Sequence, residues 1–287
     1  MALPMTTTLT AGLDRGTRLF WRHTGRRVDV DGAHRWLRAP TSEGSRVADG
    51  WLAGAGAAYG GTVRAERAAA GLLADMAELD GPGFRAADLL PQVRDFYEHT
   101  AAWRMEVWTQ WSAPFAPAGA AVSRLFGRRV QQLSIPTRPL DVAHGMDSAI
   151  TVIADTADRQ LAAAWVRRLR STGEFVYSGC YSARTLPGAA RPSVHVAFPL
   201  ESGNVQVFLR PRVTPAGGLL LESPGGVFGQ DGAYVLVHEG GTYAARAPIR
   251  ETFHVYLDGE GTLRTDHRLA LWSATAVRLH YKLLAPA

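Results

Sequence analysis

Residues 252–272 read TFHVYLDGEGTLRTDHRLALW, and this stretch decides the fold. Phe253, Val255 and Leu257 alternate with Thr252, His254 and Tyr256. That is the period-two pattern of a strand with one aliphatic and one mixed face. Asp258-Gly259-Glu260-Gly261 is turn chemistry, and residues 263–272 resume an extended pattern. Two strands joined by so few residues run antiparallel, because a parallel crossover takes about a dozen residues or more.

The same unit repeats on both sides. Strands are predicted at 149–154, 161–169, 174–182, 194–198, 205–209, 219–222, 234–238, 242–246, 252–257, 263–272 and 277–284. Between them lie further turn signals, among them Thr172-Gly173, Ser202-Gly203-Asn204, Ala216-Gly217-Gly218 and Glu239-Gly240-Gly241. So many short antiparallel strands without an intervening helix predict an α+β protein. N-terminal helices would pack on a mostly antiparallel β-barrel or strongly curled sheet. The chain divides on this reading into an irregular N-terminal arm (1–50), a helical segment (51–140) and an antiparallel β-barrel domain (141–287).

Period two also sorts each strand into faces. Val205, Val207 and Leu209 oppose Gln206, Phe208 and Arg210; Val277, Leu279, Tyr281 and Leu283 oppose Arg278, His280 and Lys282. Three histidines, His195, His254 and His280, fall opposite the aliphatic stripes. Which face points inward stays open. A filled interior puts the aliphatic face inside and the histidines outside, in solvent or under the helices. A ligand-binding barrel can line its cavity with the mixed face.

Upstream, residues 84–112 carry a helical signal. Val93, Phe96, Tyr97, Thr100, Val107, Trp108 and Trp111 recur at three- and four-residue spacings. Arg94 and Glu98, and Asp95 and His99, are each four apart, so both pairs meet on a helix surface. Pro114 and Pro117 end the helix. Residues 118–135 form a further helix or helix–strand element, with a linker at Pro136 and Pro139. The Ala-rich run after Gly61 is predicted as a helix ending before Asp80-Gly81-Pro82-Gly83. Residues 1–50 read as loop, with Arg26–Val30 as a possible short strand.

Composition removes several function classes. The 287 residues carry a formal charge of +5 with Lys282 as the only lysine. The arginines are scattered rather than striped, so a nucleic-acid module is not expected. A Schiff-base enzyme has no well-placed amine. Gly54, Gly56 and Gly60 have the wrong spacing for a dinucleotide loop. One cysteine, Cys180, excludes an internal disulfide and a multi-cysteine zinc site. The histidines form no H-x-H or H-E-x-x-H pattern, and neither a metal nor an organic cofactor is expected. No apolar run reaches the length of a membrane span. The first residues lack a basic region followed by an apolar core, which makes a cytoplasmic location the default.

The segments DFYEHT (95–100), Trp108-x-x-Trp111 and TDHRLALW (265–272) with RLHY (278–281) resemble a group of uncharacterised actinobacterial proteins over roughly residues 84–284. That resemblance carries over no catalytic residue. At the level of architecture the β half resembles calycin-type barrels, which bind apolar small molecules, and some such barrels act as cofactor-free cyclases in natural-product pathways. The resemblance implies a cofactor-independent cyclase or isomerase for an apolar substrate, with a non-catalytic carrier or sensor of a lipid-like ligand as the alternative. Glu98, His99, Tyr177, His254 and Tyr256 are the expected acid/base or hydrogen-bonding groups. Trp103, Trp108 and Phe208 are the expected walls, with Arg210 as a further substrate contact. The bland reading of Glu98 and His99 is a pair of solvated helix-surface ion pairs.

Overall fold

The computed structural model describes residues 5–42, 49–64, 69–113 and 145–285, with the backbone alone for 5–14. Its helices are few: α1 (Met5–Thr24), α2 (Leu52–Tyr59) and α3 (Pro91–Glu98), with single 3-10 turns between them. The strands are β1 (Arg26–Arg27), β2 (Thr62–Val63), β3 (Arg104–Trp111), β4 (Met146–Ala154), β5 (Gln160–Leu169), β6 (Phe175–Arg184), β7 (Ser193–Leu200), β8 (Gly203–Val213), β9 (Leu219–Glu222), β10 (Gly232–His238), β11 (Thr242–Arg246), β12 (Ile249–Leu257), β13 (Leu263–Leu271) and β14 (Ala274–Leu284). The fold is thus a mostly antiparallel sheet with a minority of helix, and every strand predicted after residue 147 is present.

The main path of the sheet runs β2-β4-β5-β6-β7-β8-β9-β12-β13-β14-β3, all pairs antiparallel. Strand β8 is shared: residues 203–208 pair with β10, and residues 210–213 pair with β9. From β10 a branch continues through β11 to β1. Among the described residues β3 and β4 share no ladder, so the sheet curls without closing. Met105 and Val107 of β3 and Met146 of β4 line the interior on the two sides of that seam.

The facing of the strands is settled by what covers each side. Val205, Val207 and Leu209 of β8, and Leu279, Tyr281 and Leu283 of β14, line the interior. The opposite face of β6–β8 is also buried, because the N-terminal segment lies on it. A directed polar chain holds that segment down. Ser182 Oγ lies 3.0 Å from His195 Nδ1, and His195 Nε2 lies 2.9 Å from Gln206 Oε1. The Gln206 amide donates to Leu37 O at 2.7 Å and to Asn204 Oδ1 at 2.8 Å, and Asn204 donates to Pro40 O at 3.3 Å. With the Gln206 amide spent as donor, its oxygen accepts from His195 Nε2–H, and Ser182 donates to Nδ1. The imidazole is therefore neutral, and burial, followed by the Arg184 charge, holds it well below its ordinary value. Trp36 packs on Phe208 and Tyr234 over the same face. The N-terminal residues are a helix and a fixed strap rather than a loose arm.

Helix α2 covers β4–β6 in the same way: Trp51 Nε1 donates to Ser178 Oγ at 2.7 Å, and Ile153, Ala162, Ala164 and Cys180 pack beside it. The helix occupies the glycine cluster itself and stops at Gly60, whose φ of +73° suits a left-handed cap. The Ala-rich run beyond it differs from expectation, with residues 69–75 non-helical and only a 3-10 turn at Met76–Leu79.

The largest departure concerns residues 84–112. The helix is only α3, started by Pro91 at its first position. His99 leaves helical geometry, Thr100 Oγ1 donates to the Phe96 carbonyl, and the chain turns through Thr100–Ala102 into strand β3. Trp103, Val107 and Trp111 are four apart, and four is even, so this spacing fits a strand as well as a helix. The β-branched and aromatic content of β3, with its alternating exposure, decides for the strand. The element expected over 118–135 and the linker at Pro136 and Pro139 lie outside the described residues.

Candidate functional site

The curled sheet encloses a cavity of about 200 Å³, below the ~300–1,000 Å³ of drug-sized sites. Most of its lining is apolar, with Val196, Phe198, Val207, Leu221, Phe253 and Leu283 representative. Leu72, Phe96 and Tyr97, from the segment around α3, also reach it. Into this surface project a few polar groups: Arg167, Tyr177, Tyr181, Glu251, Thr265, His267 and Tyr281.

Strand register brings these groups together. On β6, Tyr177 and Tyr181 flank Gly179 on one face, and Tyr177 Oη donates to Tyr181 Oη at 3.1 Å. A Cβ on Gly179 would stand 3.0 Å from Tyr177 Oη, so the missing side chain is what lets the phenol fold over the strand. Trp165 lies directly opposite Gly179 on β5 and packs on both tyrosines, at ring distances of 5.2 and 5.7 Å. Two residues on, the same face of β5 carries Arg167, paired with Tyr177 in register.

Arg167 is 5% exposed. Among the described residues no carboxylate comes within ion-pair reach of it, and its Nε has no hydrogen-bond partner. Nη2 reaches Met146 Sδ, at 3.6 Å, and the Tyr281 hydroxyl is a further polar partner of the guanidinium. Its charge faces the rings of Trp165 and Tyr281, at 5.3 and 5.6 Å. Burial lowers its pKa, and the three tyrosines Tyr281, Tyr177 and Tyr181 act against that. It remains a cation, as arginine does throughout proteins. Burial likewise raises Tyr177, Tyr181 and Tyr281, so all three are neutral phenols.

A second pair sits on β12 and β13. Phe253 and His267 are cross-strand partners, and their rings stack at 3.7 Å. Glu251, diagonal to His267, places Oε2 3.1 Å from His267 Nε2. Both side chains are 12% exposed. His267 Nδ1 is buried without a partner. In the neutral imidazole, donation from Nε2–H to Glu251 leaves a lone pair on Nδ1. A carboxylate-oriented imidazole with one free nitrogen is the geometry of a general base. Among the described residues no group of three or more His, Cys, Asp or Glu side chains gathers as a metal site.

The residues expected from sequence are distributed differently. Tyr177 lines the cavity. His254 and Tyr256 lie on the other face of β12 from Glu251 and Phe253, stacked on each other at 4.7 Å. Glu98 faces the loop before α3, where Oε1 accepts from Met76 N at 2.9 Å and from Arg94 Nη2 at 3.0 Å. His99 is half exposed and bound to Asp95 at 2.9 Å, while Asp95 also accepts from Trp103 Nε1 at 2.9 Å. Trp103 is therefore a buried strut of this turn. Trp108 points outward beside His280, 46% exposed. Phe208 is buried under Trp36, away from the cavity. Arg210 pairs with Asp231 at 3.0 Å on the surface.

Arg167, Tyr181, Glu251, His267 and Tyr281 were not singled out as site residues. Their signal was present: each is a polar residue sharing strand parity with an aliphatic or aromatic stripe. Such a residue breaks the inward face and is costly to bury without a purpose.

The chain matches no protein-family model, and no curated protein and no solved structure matches it. Among the described residues no helix is long and apolar enough to cross a membrane.

Proposed function

We propose that the curled sheet is a calycin-like barrel that binds a compact apolar molecule and isomerises or cyclises it by proton transfer, without a cofactor. The observation carrying this reading is the Glu251–His267 pair, set in an apolar cavity with Nδ1 unpartnered. Glu251 holds the imidazole in one tautomer, and the stack on Phe253 holds its plane. Nδ1 takes a proton from an activated carbon of the substrate and returns it at another position. Trp165 and Tyr177 shape the wall against which the substrate folds, so orientation supplies much of the effect. A carrier for a lipid-like ligand is the second reading, favoured by how little of the lining is polar.

Extraction of the purified protein followed by mass spectrometry identifies the occupant. That molecule, incubated with protein in D2O, is expected to gain deuterium at one carbon, and His267→Asn is expected to abolish the gain while the molecule still binds. Binding without any exchange in the native protein selects the carrier. Failure to extract an apolar molecule, together with failure to bind the neutral dye aminoanthracene, overturns both readings.

A further inference from the structure

We propose that the ligand is an apolar carboxylic acid and that Arg167 seats its carboxylate. The inference rests on the cavity being a ligand site, and it adds the chemical class of the molecule.

Four observations converge. Arg167 is nearly fully buried, and it lines the cavity. Its guanidinium carries a whole charge, yet among the described residues its polar partners are a thioether sulfur, a weak acceptor, and the neutral Tyr281 hydroxyl, with no carboxylate among them. The acidic side chain in the lining, Glu251, is engaged by His267 instead. Finally, Tyr177 donates its proton to Tyr181, which leaves the Tyr181 hydroxyl proton free for an acceptor beside Arg167. An unpaired buried cation is expensive unless something returns the lost hydration. A guanidinium presents donors in a planar fork that matches the two oxygens of a carboxylate. The remaining lining is predominantly apolar and, apart from the Glu251–His267 pair, uncharged, which suits an aliphatic or alicyclic body and does not suit a second charge.

The test uses the full chain, stripped of bound lipid, and displacement of fluorescent aminoanthracene. Decanoic acid and decanol have the same length and differ in the head group. The native protein is expected to bind decanoate at least tenfold more tightly than decanol. Arg167→Met is expected to erase that preference while keeping decanol affinity, and Arg167→Gln serves as a second variant should the first fail to fold. Equal affinity of native protein for acid and alcohol overturns the proposal and leaves the cavity reading intact. A preference that survives in both variants overturns the role of Arg167. Tighter binding of decyl sulfate than of decanoate, by tenfold or more, overturns the carboxylate assignment. Absence of binding by the dye, the acid and the alcohol alike overturns the cavity reading itself.

Discussion

Replacing Arg167 with methionine should make the ligand-free protein more stable, not less. Arg167 is 5% exposed and its Nε is buried, so the guanidinium has lost nearly all its hydration. No carboxylate among the described residues returns that loss. Exchanging buried ionic groups for apolar ones of similar volume is often worth about 1–4 kcal/mol. The two ring faces at 5.3 and 5.6 Å offset part of the burial cost, which places Arg167 in the lower part of that net range. Methionine fills much of the same volume and adapts to the space beside Met146. The net gain is then about 1–3 kcal/mol. For a chain of this size that is a rise in Tm of roughly 2–12 °C. Differential scanning calorimetry reads it directly, provided both proteins are stripped of ligand. A native-state ligand held at about 100 times its Kd would add ~2.7 kcal/mol to the native protein and reverse the order. A ligand-free Arg167→Met protein that melts lower by more than about 1 kcal/mol would refute the reasoning, because it would show that the fold already compensates the charge.

Other expectations follow from the same geometry. His195 is held neutral by burial and by the Arg184 charge, so below about pH 6.5 the unfolded chain binds a proton that the folded chain refuses. Stability should therefore be fully present above about 6.5 and fall with decreasing pH, by up to ~1.4 kcal/mol per pH unit from this group. Urea melts at about pH 7.5 and 5.5 should show that slope reduced in His195→Gln. Gly179→Ala places a methyl 3.0 Å from Tyr177 Oη; a loss of about 1–3 kcal/mol and an altered near-UV dichroism are expected. Glu98→Ala leaves the Met76 amide without its acceptor and Arg94 with Asp75 alone, and should cost about 1–2 kcal/mol with unchanged affinity for aminoanthracene. His254→Ala, on the far face of β12, should leave dye binding unchanged as well; a tenfold loss would place that face in the site.

The contrast between His254 and His267 shows what a sequence can and cannot say about a β site. Alternation placed Phe253, Val255 and Leu257 on one face and His254 on the other, and the turn at Asp258 fixed the antiparallel pairing; both hold in the structure. Adjacent Asp266 and His267 diverge, as neighbouring strand residues do: Asp266 reaches out to His280 at 2.7 Å while His267 turns in. What alternation does not supply is which side becomes the interior, because that depends on what else covers the sheet. Here the strap at Trp36–Pro40 claims the polar face of β7 and β8, an event set by residues more than 150 positions away. His195, His254 and His280, the histidines of the mixed face, accordingly lie outside the cavity lining. A stricter physical rule reads the cavity lining more directly: on a face that is mostly hydrocarbon, the rare ionisable residue is the one whose burial has to be explained. Applied to the β half, that rule points to Arg167 beside Trp165, to Glu251 between Ile249 and Phe253, and to His267 between Thr265 and Leu269, which are the three charged or titratable non-phenolic groups that the cavity holds.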